Sequence, residues 1–182
     1  MTQKMAERLY HPFGPLYCEQ SRVLILGSFP SVKSREQQFF YGHPQNRFWK
    51  VIAAVTDNPV PQSIEEKKEL ILGSGLALWD SIASCEITGS SDSSIRNAEP
   101  NDISLITGSC DIRAIYCNGK KSLEVYNRYI RPVLGREAEA LPSTSPANAA
   151  WTLERLIKAW SVINYIGDKS INENEIGSGN EK

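Results

Sequence analysis

Short continuous apolar runs alternate with amphipathic stretches along the chain. The run 23-VLIL-26 stops at Gly27, as a strand buried on both faces would. Gly27 permits a tight turn and Pro30 stiffens the polar loop of residues 28–45. A helix opens at about Asn46, with Phe48, Val51, Ile52 and Val55 on one face, and Asn58, Pro59 and Pro61 end it. Ser63 caps a second helix through the charged run 65-EEKKE-69, which stops near Gly73 and Gly75. The run 76-LALW-79 is a second strand, ending at Asp80. A short helix from Asp102 leads to a third strand, 112-IRAIYC-117, which stops at Asn118-Gly119 and feeds a helix with Leu123, Val125 and Tyr126. A fourth strand is expected at 138–141 and a last helix at 148–162, with Leu153, Leu156, Ile157 and Trp160 inward. Residues 1–21, with HPFGPLY, read as a loop packed by its aromatics. The polar stretch 87–100 lacks apolar periodicity over a length that suggests a functional loop.

Strands alternating with helices predict an α/β layer fold with a mostly parallel sheet, one domain over residues 1–167. In such sheets ligands sit beyond the carboxyl ends of the strands. Four polar segments here follow strands: 27-GSFPS-31, Asp80, 118-NGKK-121 and 142-PSTSPAN-148. Their convergence on one crevice is the reason to look for an active site there.

Composition narrows the class. With 182 residues, 41% hydrophobic and 23% charged, the chain can bury a core and is not disordered throughout. Residues 168–182, rich in Asn, Gly, Ser and Glu, read as a mobile polar tail. A net charge of −1 argues against strong unspecific attraction to a polyanion. A local basic face is still sufficient, and Lys33, Arg35, Arg47 and Lys50 form a positive cluster that reads equally as such a face or as solvated surface. No apolar run approaches the ~20 residues of a membrane span, and the N-terminus lacks a signal-peptide core. A cytoplasmic monomer with no membrane partner is the expectation. Cys18, Cys85, Cys110 and Cys117 are scattered, and the two histidines are His11 and His43, so no metal and no cofactor are expected.

The candidate residues each have an ordinary role as well. Tyr41 follows Phe39 and Phe40, which read equally as core; at a pocket mouth a ring like Tyr41 can stack on a base, worth ~1–3 kcal/mol. His43 precedes Pro44 and reads as structural, and Asn46 as a helix cap. Asp80 can accept from a substrate N–H or cap a turn. Asn118 offers one acceptor and two donors, which suits a base edge, but Asn-Gly is also a common turn. In 141-LPSTSPANAAW-151 the backbone N–H groups can face a phosphate or simply cap a helix. There is no G-x-S-x-G elbow, Walker motif, G-x-G-x-x-G or H-E-x-x-H, so the chemistry should need little acid–base help.

The segment 43-HPQNRFWKVI-52, with Tyr41 and 27-GSFPS-31 before it, resembles the first motif of the uracil-DNA glycosylase superfamily, closest to its mismatch-specific branch. The segment 142-PSTSPANA-149 resembles the second motif, a loop that enters the DNA minor groove. With 78-LWDSIASCE-86 and 118-NGKK-121, the pattern looks most like the hypoxanthine-DNA glycosylase family, from about Arg8 to Trp160. The resemblance implies a three-layer α/β/α sandwich with a central four-stranded parallel sheet. It implies a monofunctional DNA-deoxyinosine glycosylase that flips a deaminated base out of DNA and hydrolyses its glycosidic bond. Uracil-directed branches carry a catalytic Asn inside G-x-N-P; Phe29 stands there in this chain, and the hypoxanthine family also lacks that Asn. The resemblance maps catalysis onto Asn46 and base recognition onto Asn118, with Tyr41, Asp80 and Phe29 as further base contacts. Ser31 and Lys33, with Ser145, Pro146, Ala147 and Asn148, are the expected DNA contacts. The alternatives are a uracil or xanthine glycosylase, a damaged-DNA-binding module without excision, and a nucleotide enzyme using the same crevice.

Overall fold

The computed structural model describes residues 6–88 and 94–164. The expected tail at 168–182 and residues 89–93 of the long polar stretch lie outside the described residues. Four strands form a parallel sheet in the order β3-β2-β6-β7: β2 (Val23–Gly27), β3 (Leu76–Asp80), β6 (Ala114–Asn118) and β7 (Glu139–Leu141). Every residue of β3 is buried, as are the first four of β2, so both faces of the sheet are covered. The three-layer α/β/α expectation holds, and the four expected strands lie within two residues of their predicted bounds.

The helices follow the chain's punctuation. Helix α2 (Phe48–Val55) buries Phe48, Trp49, Val51, Ile52, Ala53 and Val55. It packs on α7 (Leu153–Trp160), where Phe48 meets Trp160 edge-on at 5.9 Å. Both begin later than the apolar pattern suggested. Asn46 and Arg47 lie in the turn before α2, and α7 starts only after Thr152, whose side chain accepts from the Arg155 N–H. Helix α3 (Ile64–Gly73) is capped by Ser63 as expected, and the short helix expected from Asp102 is α4 (Ser104–Thr107). After β6 come α5 (Lys120–Val125), a π-helical turn (Tyr126–Ile130) and α6 (Arg131–Leu134).

The parallel sheet does not account for three further strands. β1 (Glu7–Tyr10), β4 (Ile82–Ile87) and β5 (Arg96–Pro100) form an antiparallel sheet in the order β1-β4-β5. The expectation of loops over residues 1–21 and 87–100 is therefore corrected: each contributes an edge strand to this sheet. Ser81 alone separates β3 from β4, and its N–H donates to the Gly27 carbonyl. The chain thus passes from one sheet to the other at Asp80. A second core cluster of Phe29, Ile82, Cys85, Ile87 and Val125 fills the angle between the sheets. The loop after β2 also holds a short helix, α1 (Val32–Gln37), capped by Ser31.

Candidate active site

One cavity of about 1180 Å³ opens at the carboxyl ends of the parallel strands, and all four polar segments line it. Phe29, Tyr41, Asn46, Asp80, Asn118 and the 142–148 loop share its wall.

Asp80 sits at the floor, opposite Gly27 in the β2–β3 register. A methyl group on Gly27 would come 2.4 Å from Asp80 Oδ1, so glycine is there for close approach to the carboxylate, not for a left-handed turn. The other oxygen, Oδ2, lies 2.7 Å from His11 Nε2, and both side chains are under a tenth exposed. The Phe13 N–H points at His11 Nδ1 (3.4 Å), which makes Nδ1 the acceptor and Nε2–H the donor to Asp80. The His11 Nε2–H therefore holds the carboxylate from behind.

Tyr41 lines the cavity, but its hydroxyl does not face a wet site: the oxygen is sealed from solvent with no hydrogen bond of good geometry. Burial, then the Asp80 charge, pushes its phenol well above the usual tyrosine range; the nearby Asn118 carboxamide opposes this a little. One ring face is already covered, because Phe48 stacks on it at 3.9 Å and 21°. The backbone is left-handed (φ 52°), a strained position for an aromatic residue, and the Phe48 stack and the bond from Gly42 N–H to Ser34 Oγ brace it.

Asn46 and Asn118 are joined through Thr144, which is wholly buried. Asn118 Nδ2 donates to Thr144 Oγ1 (2.9 Å), and the Thr144 N–H donates to Asn118 Oδ1 (3.0 Å). The Thr144 hydroxyl donates to Asn46 Oδ1 (2.9 Å), which also accepts from the Phe48 N–H (2.9 Å). The side chain of Asn46 does cap α2, but from two residues before its start.

Arg47 locks the two segments together. Its guanidinium donates to the carbonyls of Thr144 (3.4 Å), Ser145 (2.9 Å), Asn148 (3.1 Å) and Trp151. Its backbone N–H donates to Thr144 O as well. The expected phosphate-facing amides of the 145–148 loop are corrected at this point, since the loop uses them internally. Ser145 N–H donates to Ser143 Oγ, Ala147 N–H to Ser145 Oγ and Asn148 N–H to Ser145 O, while Pro146 has none. The Asn148 side chain donates to Ser143 O. Ser31 is engaged as the cap of α1, and the exposed Lys33 pairs with Glu36 at 3.2 Å. Phe29 is 8% exposed, with Arg35 over its ring at 5.8 Å. Among the described residues no cluster of three or more His, Cys, Asp or Glu is placed to hold a metal ion.

Comparison with known proteins agrees with this architecture. Residues 15–164 match the model of the uracil DNA glycosylase superfamily. The chain belongs to the uracil DNA glycosylase superfamily. A hypoxanthine DNA glycosylase of Methanosarcina acetivorans is 35% identical over 139 residues, 75% of this chain and 87% of that protein. One from Methanosarcina barkeri is 32% identical over 139 residues, 75% of this chain and 86% of that protein. The solution NMR structure of an M. acetivorans protein, provisionally named a uracil DNA glycosylase, matches with a TM-score of 0.72 at 31% identity. It covers 85% of this chain and 96% of that one.

Three residues of this superfamily member's site escaped the sequence reading. His11 lies 69 positions before its partner Asp80, and only the antiparallel sheet brings them together. Thr144 looked like one hydroxyl among several in a loop. Arg47 stands in a cluster that reads equally as surface charge, although a guanidinium directly before the buried Phe48–Trp49 start of a helix has few ways to reach water.

Proposed function

We propose that the chain is a DNA glycosylase that removes hypoxanthine from deoxyinosine-containing DNA. The base would swing out of the duplex into the cavity before water replaces it at C1′. What carries this reading is one wall that holds a carboxylate and two carboxamides, in a chain whose relatives are named hypoxanthine DNA glycosylases.

Hypoxanthine differs from adenine by a carbonyl at C6 and an N1–H. Asp80 would accept from N1–H, and the remaining Nδ2 hydrogen of Asn118 would donate to the carbonyl. Adenine reverses both partners, leaving a buried carboxylate facing a lone pair; each such mismatch costs roughly 1–3 kcal/mol. The cleaved bond leaves its electron pair on the base while the sugar becomes oxocarbenium-like. Hydrogen bonds to the departing base then strengthen as charge develops, so no strong base is needed. Because the 145–148 amides are engaged, the flanking phosphates would be met by Lys33, Arg35 and Lys120 at the rim, while Pro146 and Ala147 would wedge into the gap. DNA is the proposed partner of a monomer acting inside the cell, and no helix among the described residues is long and apolar enough to cross a membrane.

Uracil and xanthine also present a carbonyl beside an N–H, so the test is a panel. Duplexes carrying one hypoxanthine, xanthine, uracil or adenine are incubated with the protein, and alkali reveals abasic sites. Cleavage fastest at hypoxanthine and absent at adenine is expected. Preference for uracil would refute the substrate assignment, and no product from any base would refute the enzyme.

A further inference from the structure

The Thr144 bridge has a direction that can be read atom by atom. Backbone amides, which can only donate, sit at both ends of it. The Thr144 N–H faces the Asn118 carboxamide, so the atom it meets is Oδ1 and the other atom is Nδ2. That Nδ2 donates to Thr144 Oγ1, so the hydroxyl hydrogen must point onward, to Asn46. The atom of Asn46 that receives it is Oδ1, which the Phe48 N–H requires independently. Both lone pairs of Asn46 Oδ1 are then filled. Its Nδ2 has no partner among the described residues, and the side chain lines the cavity.

We infer that Thr144 is a positioning residue that holds Asn46 with its N–H end toward the substrate, so that Asn46 works as a hydrogen-bond donor and not as an acceptor of water's proton. For its effect on excision this rests on the glycosylase reading above. Donating to the oxygen of the attacking water, Asn46 leaves one lone pair of that oxygen aimed at C1′. The C1′–O bond forms as the C1′–N9 bond breaks, the electron pair leaves with the base, and the water proton passes to solvent. An oxocarbenium-like centre is electrophilic enough for undissociated water. The same residue holds Asn118 through its backbone N–H and its hydroxyl, so Thr144 braces both carboxamides. Thr144 is fully buried and its hydroxyl is spent on the two carboxamides, so its own part is indirect.

The test uses Thr144→Val, Thr144→Ser and Asn46→Asp in the full chain. Thr144→Val keeps the shape and removes the hydroxyl; single-turnover excision should fall at least tenfold while duplex affinity stays within about threefold. Thr144→Ser should recover the rate to within about threefold. Asn46→Asp keeps both bonds at the inner oxygen and turns the outer atom into an acceptor, and should lose excision. Wild-type rates in Thr144→Val, or retained excision in Asn46→Asp, would overturn the inference. Side-chain amide NMR on the 15N-labelled protein gives a readout independent of activity. The NH2 signals of Asn118 and Asn46 should both shift in Thr144→Val and stay near their places in Thr144→Ser. If the wild-type protein excises no base, the glycosylase reading fails on its own, and unmoved amide signals in Thr144→Val would still refute the bridge.

Discussion

Replacing Arg47 by Met should unfasten the 142–151 loop from the start of α2. The variant keeps most of the stem and removes every donor. In the wild type the guanidinium reaches four carbonyls, those of Thr144, Ser145, Asn148 and Trp151, and Arg47 itself is half-buried. A hydrogen bond to a charged group contributes roughly 1.5–3 kcal/mol. The four do not add, since the Thr144 bond is long and the carbonyls of a surface loop can turn to water. One to two full bonds is the appropriate measure, which gives a loss of about 2–4 kcal/mol. Arg47→Lys should lose about 1–3 kcal/mol, because an ammonium is a point with three donors and cannot span a planar fan of acceptors. Urea unfolding without DNA measures both, with the midpoint falling at unchanged slope. A loss below about 0.5 kcal/mol in Arg47→Met would show that the loop is held by something else, and the joining of the two segments would have to be abandoned.

His11→Ala should destabilise the fold by about 1.5–3 kcal/mol, since it removes the hydrogen bond held by the buried Asp80 carboxylate, and His11→Gln, which can donate along a similar line, should recover part of it; a melt within a degree or two of wild type would refute the pairing. Gly27→Ala should cost about 1–3 kcal/mol and slow excision together, because the new methyl displaces Asp80 Oδ1; unimpaired excision would show that this carboxylate position is not needed. At high pH, Tyr41 and Tyr126, the latter pushed up to about 12 chiefly by burial, keep their protons in the folded state while the unfolded chain loses them near 10. Stability should therefore be unaffected below pH 10 and fall as pH rises above it, with tyrosinate absorbance lagging behind that of the denatured chain; simultaneous ionisation of all seven tyrosines at 10 in the folded protein would contradict this.

The parallel sheet was legible chiefly because β2 and β3 are buried on both faces and read as unbroken apolar runs. β5, by contrast, is the exposed polar run RNAEP, joined to its neighbour by backbone bonds that leave little mark on the pattern. β1 is half-buried and only four residues long. The crevice was legible for a topological reason, since polar segments after parallel strands must meet at one end of the sheet. What each residue does there was less so. Tyr41 was read from its chemistry as an exposed stacking ring, but its left-handed backbone and the Phe48 ring turn the hydroxyl inward. The sequence leaves the 145–148 amides open between a phosphate and a helix cap, because a loop's internal Ser and Asn bonds leave no periodic signal. His11 pairs with Asp80 only because an unforeseen sheet folds the N-terminal segment back.

In the proposed reaction a base is excised in a pocket where Asn46 faces the substrate. The most direct measurement is single-turnover cleavage of a duplex carrying one deoxyinosine, wild type beside Asn46→Ala, with binding of the same duplex followed by gel shift. Abasic product from the wild type, and a rate at least a hundredfold lower in Asn46→Ala with binding held within about threefold, is the predicted result. Equal rates in the two proteins, or binding without product in both, would contradict it.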